Sequence, residues 1–197
     1  MGDASNIIVG TAGKAYMAQV GSTFPTGPEV PWGDDFTDMG FVTPDGLEEA
    51  LEEERTQLEA WGEDAPVIDL AKKRTQTFKL VFRETTVELL SLYYQVSMAK
   101  MTSTAAATGK KQFVSFGSGS LADTVEIGLG LDVIMSGKRH RIMIARAGVT
   151  DRGAIKHSAD DSSNYELTFT ALAAPGGMQS VQHQITDVVL PEVSEGG

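Results

Sequence analysis

The sequence predicts a mainly β fold, an antiparallel β-barrel or β-sandwich with one flanking α-helix at about residues 85–95. Several segments alternate apolar and polar residues, which is the pattern of half-buried strands. The 197 residues include 21 glycines and only 7% aromatic residues, as expected for a chain with many turns. One segment combines a capping box with the helical spacing of apolar residues. Closing the strands into a barrel or sandwich would protect their edges.

The N-terminal segment, residues 1–14, is small and mostly polar, so we interpret it as a mobile arm. Residues 14–20 form the first predicted strand. The segment 21–40 holds three prolines and four glycines and is therefore predicted to be a long loop. Loops of about 20 residues are uncommon in compact domains unless they have a function. Two interpretations stay open: an Ω-loop packed on its own domain, or an arm that docks on a partner.

The following segment, residues 47–61, is ambiguous. Its acidic run, Glu48–Glu54, favours an α-helix by propensity. Leu47, Leu51 and Leu58 would also share one helical face. Turn signals on both sides are compatible with a polar strand as well. Taken by themselves, the residues favour the helix.

The apolar residues of segment 77–84 alternate, which predicts a strand with one core face. Thr85 and Glu88 then fit a capping box, so a helix of about three turns is predicted to end near Gln95. Residues 98–111 are predicted to form a flexible crossover.

The C-terminal half predicts further strands. Alternating apolar residues run through segments 125–135, 140–145 and 165–171, and a last strand is predicted at residues 182–189. The tail from residue 191 to residue 197 is predicted to be frayed. The chain length favours one domain over residues 1–197.

The composition excludes several classes of function. Asp and Glu outnumber Lys and Arg by 27 to 16, a net charge of −11, so tight binding of nucleic acid phosphates is not expected. The chain has no cysteine, which excludes disulfides and thiol chemistry. We expect no signal peptide and no membrane segment, because no apolar stretch approaches the roughly 20 residues that cross a bilayer.

No motif predicts catalysis, a cofactor or a metal site. Residues 10–14 match only the end of a phosphate-binding loop and lack its first glycine and its Ser or Thr. Residues 117–122 fit a dinucleotide-binding glycine pattern, but a strand pattern follows where that site needs a helix. His140, His157 and His183 lack metal-ligand spacing. We therefore expect no enzyme activity, no cofactor and no metal.

Four motifs follow one another in a fixed order. They are the turn Gly40–Gly46, the strand end Ala60-Trp61, the strand 77–84 and the helix Val87–Tyr94. In this order they resemble the major tail tube proteins of long-tailed, non-contractile bacteriophages, over about residues 14–174. In that family the segment matching residues 47–60 is a strand, so the resemblance replaces the helix prediction. Gln95 departs from the family pattern, in which glycine closes the helix.

The resemblance implies a structural protein whose subunits form hexameric rings that stack into a hollow tube. DNA would pass through the tube without specific binding. It also implies assembly in the host bacterial cytoplasm, a place in the virion tail, and contacts with tape measure, tail terminator and baseplate or tip proteins. The loop 21–40 would reach a neighbouring subunit or ring. Its anchors would be Phe24, Pro25, Trp32, Phe36 and Met39.

Two acidic residues are candidates for the lumen of such a tube. Glu126 and Asp132 lie on the non-core face of the predicted strand 125–135. Acidic groups that face a channel repel phosphates, and six chains at −11 each would give −66 per ring. An orientation toward the outer solvent stays equally open.

Two other functions are compatible with the sequence. The tube subunit of a contractile injection or secretion system would share the architecture. An acidic β-sandwich binding or adhesin domain would need exposed aromatic residues that line a groove.

Overall fold

The computed structural model describes residues 9–59, 61–62, 64–104, 113–119, 123–135, 138–157 and 162–186. The elements within these ranges are the strands β1 Ala12–Ala18, β2 Thr37–Asp38, β3 Val42–Leu58, β4 Ile68–Phe82, β5 Thr102–Thr104, β6 Phe113–Ser115, β7 Glu126–Met135, β8 Lys138–Arg152, β9 Tyr165–Ala171 and β10 Val181–Ile185, and the helix α1 Val87–Tyr94.

Antiparallel pairing joins the strands of the main sheet in the order β2-β1-β7-β8-β9-β4-β3, and β5 pairs with β6 separately. The long strand β8 organises this sheet. One of its edges pairs with β7, and the other pairs first with β10 and then with β9. The terminal strands β2 and β3 do not pair with each other, so the sheet is rolled into a sandwich-like form rather than a closed barrel. The predicted fold class is confirmed.

One hydrophobic core lies inside the rolled sheet and against α1. Alternating apolar residues in the strands supply most of this core, because every second side chain of a strand points to the same face. Its members include Phe78, Leu80, Phe82, Leu89, Leu92, Leu129, Leu131, Ile142, Ile144, Leu167 and Phe169.

The helix is capped one residue later than predicted. Thr86, not Thr85, is the N-cap, and its hydroxyl accepts a hydrogen bond from the Leu89 N–H at 3.2 Å. The Thr85 hydroxyl lies 3.1 Å from the Tyr165 hydroxyl instead. At the C-terminal end Gln95 takes the left-handed conformation, with φ 52°, that glycine usually supplies. Its side-chain amide donates to the Leu92 carbonyl and accepts from the Val125 N–H, which holds it there.

The acidic run lies in a strand, as the resemblance implied, and the helix prediction from propensity is wrong. Cross-strand pairing explains the outcome, because opposite charges on facing residues stabilise a sheet. The facing pairs are Glu48 with Lys79, Glu53 with Arg74, and Glu54 with Lys73.

Several predicted boundaries move by a few residues. The first strand begins at Ala12, so the last three residues of the predicted arm belong to β1, and residues 1–8 of that arm lie outside the described residues. The predicted last strand, 182–189, is observed as Val181–Ile185, and its residues 187–189 lie outside the described residues. The predicted crossover contains a short 3-10 turn and β5, while its residues 105–111 lie outside the described residues, as does the predicted tail.

Candidate functional site

The hairpin of β3 and β4 projects beyond the rest of the sheet. The strand β4 pairs with β9 from Thr77 to Phe82, whereas its pairing with β3 continues outward to the Leu58–Ile68 pair. Residues 51–58 and 68–76 therefore form a two-stranded arm with no third strand beside it in the described chain. An isolated hairpin is only marginally stable in water. Within the described chain, the arm is therefore supported mainly by the pairing and the side-chain contacts of its own two strands.

One face of the arm is polar and carries a network of ion pairs. The Glu53 carboxylate contacts both Arg74 and Arg55, and its distance from the Arg55 guanidinium is 3.2 Å. The Arg55 guanidinium also lies 2.9 Å from the Asp69 carboxylate. All four side chains are partly exposed, and ion pairs of this kind contribute about 0–1 kcal/mol each. The network holds the two strands in register and leaves this face solvated.

The other face of the arm ends in an apolar surface. Leu58 stands directly opposite Ile68, and Leu70 follows two residues along on the same face. These three residues, the apolar tip, are 49%, 46% and 53% exposed. Trp61 and Val67, between the two strands, are exposed as well. These neighbouring exposed apolar side chains make the tip a candidate interaction surface.

The loop of residues 21–36 packs on its own chain through aromatic contacts. The Trp32 ring stacks on Tyr16 of β1, with ring centres 5.0 Å apart. Phe36 lies 4.8 Å from Trp32 and 5.4 Å from Phe24, so the three loop aromatics form one cluster. Each such pair contributes about 0.5–1.5 kcal/mol beyond its buried area.

The remaining predicted anchors also lie on the same domain. Met39 is fully buried in the core, and its N–H donates to the Ala15 carbonyl. The Pro25 carbonyl accepts a hydrogen bond from the Gln184 side chain at 3.4 Å. The described chain thus has the packing of an Ω-loop, and a contact of these residues with a neighbouring subunit stays a prediction.

A buried ion pair clamps this loop to the sheet. Arg141 of β8 donates two hydrogen bonds to the Asp132 carboxylate of β7, at 2.7 and 3.0 Å, and its side chain is fully buried. The same guanidinium donates to the Gly27 and Val30 carbonyls and lies 4.3 Å from the centre of the Trp32 ring. The Trp32 N–H in turn donates to Asp132 at 2.9 Å.

Gly130 gives Trp32 the room that this clamp needs. A Cβ atom at position 130 would lie 2.3 Å from the indole ring, closer than any real contact. The glycine therefore lets the indole lie flat on the strand. This residue is one of those that form the non-core face of β7, where the sequence analysis placed the candidate lumen residues.

The comparison with family models identifies what this architecture belongs to. The model of the phage tail tube proteins matches residues 1–191, nearly the whole chain. The chain belongs to the phage tail tube protein family.

The tail tube protein is similar to a chain in a cryo-EM structure of the anti-feeding prophage baseplate, with 11% identity and a TM-score of 0.43, over 93% of this chain and 97% of the other. A search of curated proteins finds no match. Membership makes the chain a structural component of the virion tail. In the described ranges, no helix is long and apolar enough to cross a membrane.

The two candidate lumen residues of the tail tube protein have different surroundings. Glu126 accepts two hydrogen bonds from Arg146, at 2.7 and 2.9 Å, and its side chain is 24% exposed. Asp132 is 5% exposed beneath the clamped loop. A lumen position stays a prediction for both, and for Asp132 it requires the loop to move. Reversing the charge at Asp132 would break its buried ion pair with Arg141, so an effect on folding would mask any effect on the lumen. Glu126→Lys is therefore the variant that tests a lumen position.

Two histidines that are distant in the sequence meet in the tail tube protein. His140 Nε2 on β8 lies 3.1 Å from His183 Nδ1 on β10, and Glu49 Oε1 lies 3.6 Å from Nε2 of His183. Burial, and secondly the neighbouring His183, lower the pKa of His140, while Glu49 acts in the opposite direction. The described residues contain no group of three or more potential ligands arranged for a metal ion. The sequence alone does not reveal this contact, because it depends on the register of β10 against β8.

We expect the stability contributed by His140 to depend on pH. Because its folded-state pKa lies below the ordinary 6.5, the unfolded chain binds the proton first as the pH falls. The contribution is therefore complete above about pH 6.5 and is lost as the pH drops below that value. Unfolding of the native chain and of His140→Gln at pH 7.5 and 5.5 measures this. The control is His157→Gln in an exposed loop, and equal pH responses of the two variants would contradict the prediction.

Proposed function

We propose that this chain is the structural subunit of a phage tail tube, in which hexameric rings stack into a hollow, negatively charged conduit for DNA ejection. The proposal includes assembly in the bacterial cytoplasm with tape measure, terminator and baseplate or tip proteins. The observation that carries it is the projecting arm, a long amphipathic hairpin that has no partner within the described chain.

The free edge of β3 supports the same proposal. It is the last strand of the sheet order, so its outer edge offers unpaired backbone groups to another chain. The Glu-rich run along β3 makes the pairing of two β3 edges unfavourable, because like charges would face each other. This arrangement favours contacts between different surfaces of successive copies, which generate rings or filaments rather than isolated dimers.

The net charge of −11 supports the conduit. A channel that DNA must leave quickly cannot bind phosphates, and excess carboxylates repel them. The same charge keeps free subunits soluble before assembly.

Electron microscopy of the purified chain over a range of concentrations tests the proposal, with light scattering alongside. We expect rings or hollow tubes with six-fold end views above a threshold concentration. A chain that stays monomeric at millimolar concentration, and also when mixed with preformed tail tips, would overturn the proposal.

A further inference from the structure

A cleft opens in the wall of the rolled sheet, beside the start of β3. Between the paired residues Val42 and Leu47, β3 bulges away from β4, because four residues face a single residue of the partner strand. The resulting cleft has a volume of about 1090 Å³. Its lining includes the core residues Leu80, Leu131 and Ile142 and, at the mouth, Phe41, which is 75% exposed.

The cleft and the apolar tip have complementary character. Among the apolar residues that line the cleft, Phe41 is exposed and Val42, Leu47 and Ile134 are partly exposed, whereas the core residues are buried. The tip presents three branched aliphatic side chains on one face.

Besides the Lys14–Asp38 and Arg141–Asp132 ion pairs, the lining of the cleft carries the carboxylates of Asp45, Glu49 and Glu84. Glu49 accepts a hydrogen bond from the Gln76 side chain and Glu84 accepts one from the Phe41 N–H, and both remain negatively charged groups without a Lys or Arg partner in the described residues.

The arm carries the opposite charge next to its apolar tip. Lys72 and Lys73 follow Leu70 on β4, and both are exposed. Lys73 stands opposite Glu54 in the ladder, but neither lysine lies within ion-pair distance of a carboxylate among the described residues. These two lysines can therefore pair with carboxylates of another chain.

The tip cannot reach the cleft of its own chain. Leu47 lines the cleft and Leu58 belongs to the tip, and the two are eleven residues apart on the same strand. At about 3.3 Å per residue, this places them about 36 Å apart. A tip that fills a cleft must therefore come from a different copy.

We propose that the apolar tip of one copy docks in the cleft of a second copy, with Lys72 and Lys73 facing the carboxylates at the cleft mouth. This inference rests on the proposed function and names the receiving surface for the arm. The contact joins two different surfaces, so it propagates from copy to copy instead of ending at a dimer.

The absence of cysteine from the chain permits a clean cross-linking test. One chain carries Leu58→Cys at the tip, and a second carries Leu47→Cys in the cleft. A second pair, Leu70→Cys with Ile134→Cys, guards against a single unfavourable geometry, because a disulfide needs Cα atoms about 4.4–6.8 Å apart. The matched control replaces the cleft cysteine with Met178→Cys, an exposed position outside the cleft.

Mixed chains are oxidised, and disulfide-linked heterodimers are quantified by non-reducing electrophoresis and peptide mass spectrometry. Docking raises the local thiol concentration, so we expect at least one tip–cleft pair to exceed the control about tenfold. Lys72→Glu with Lys73→Glu on the tip chain should lower the yield, and Asp45→Lys on the cleft chain should restore it. Circular dichroism confirms that each variant is folded.

Predominant tip–tip dimers, or tip–cleft yields equal to the control in samples that still form tubes, would overturn the docking proposal and leave the proposed function standing. A native chain that forms no rings or tubes under the same conditions would instead count against the proposed function itself.

Discussion

Replacing Asp132 with alanine is expected to lower the free energy of unfolding by about 3–5 kcal/mol, because it leaves a buried guanidinium without its counterion. Arg141 is fully buried and makes two charge-assisted hydrogen bonds to this carboxylate. The substitution also removes the acceptor of the Trp32 indole. Denaturant unfolding measures the loss of stability.

Two comparisons separate the buried ion pair from a general effect. Removing both charges with Asp132→Leu and Arg141→Met should recover much of the stability, since apolar replacements often substitute well for a buried pair. Lys100→Ala, which removes an exposed ion pair with Asp123, should cost at most about 1 kcal/mol. An Asp132→Ala variant as stable as Lys100→Ala would contradict the prediction.

Fluorescence of Trp32 reports whether the loop leaves the sheet in the Asp132→Ala variant. Trp61 is fully exposed, so Trp61→Phe gives a background in which the signal comes from Trp32 alone. We expect a red shift of the Trp32 emission in Asp132→Ala, because the indole loses its contacts with Tyr16 and Arg141. An unchanged spectrum would show that the aromatic cluster holds the loop without the ion pair.

The sequence predicts those parts of this fold that depend on local patterns. Alternation along residues 77–84 and 165–171 predicts strands, because it follows directly from one buried face. The helix is likewise predictable, and only its cap moves by one residue, since Thr85 and Thr86 are chemically equivalent candidates. Propensity fails for the run Glu48–Glu54, because the cations that stabilise it lie on another strand.

The parts that depend on register and long-range packing are not predictable from the sequence. The polar alternation of β7 predicts a solvent or lumen face for Asp132, which is buried beneath the loop instead. Its partner, Arg141, becomes visible only when β7 and β8 are paired residue by residue. The apolar tip is not visible in the sequence for a similar reason, since Leu58, Ile68 and Leu70 form one surface only when the hairpin is paired.

Replacing Leu58, Ile68 and Leu70 together with threonine is expected to raise the concentration needed for assembly about a hundredfold while leaving the subunit folded. All three side chains are about half exposed, so their removal costs the isolated domain little, and threonine keeps the strand propensity. In an interface the same side chains become fully buried, and their loss removes about 3 kcal/mol per contact. That raises the concentration needed for assembly about a hundredfold.

Sedimentation of assembled material against total protein measures that threshold concentration, and circular dichroism monitors the fold of the triple variant. The matched control replaces three exposed apolar residues away from the arm, Val20, Met98 and Met178, with threonine. Exposed apolar area decreases in both triple variants, so a general hydrophobic contribution to association would affect them equally. A specific docking arm predicts that only the tip variant needs the higher concentration. If the tip variant assembles at the concentration of the native chain, the arm does not hold the tube together, and the free edge of β3 becomes the principal contact between subunits.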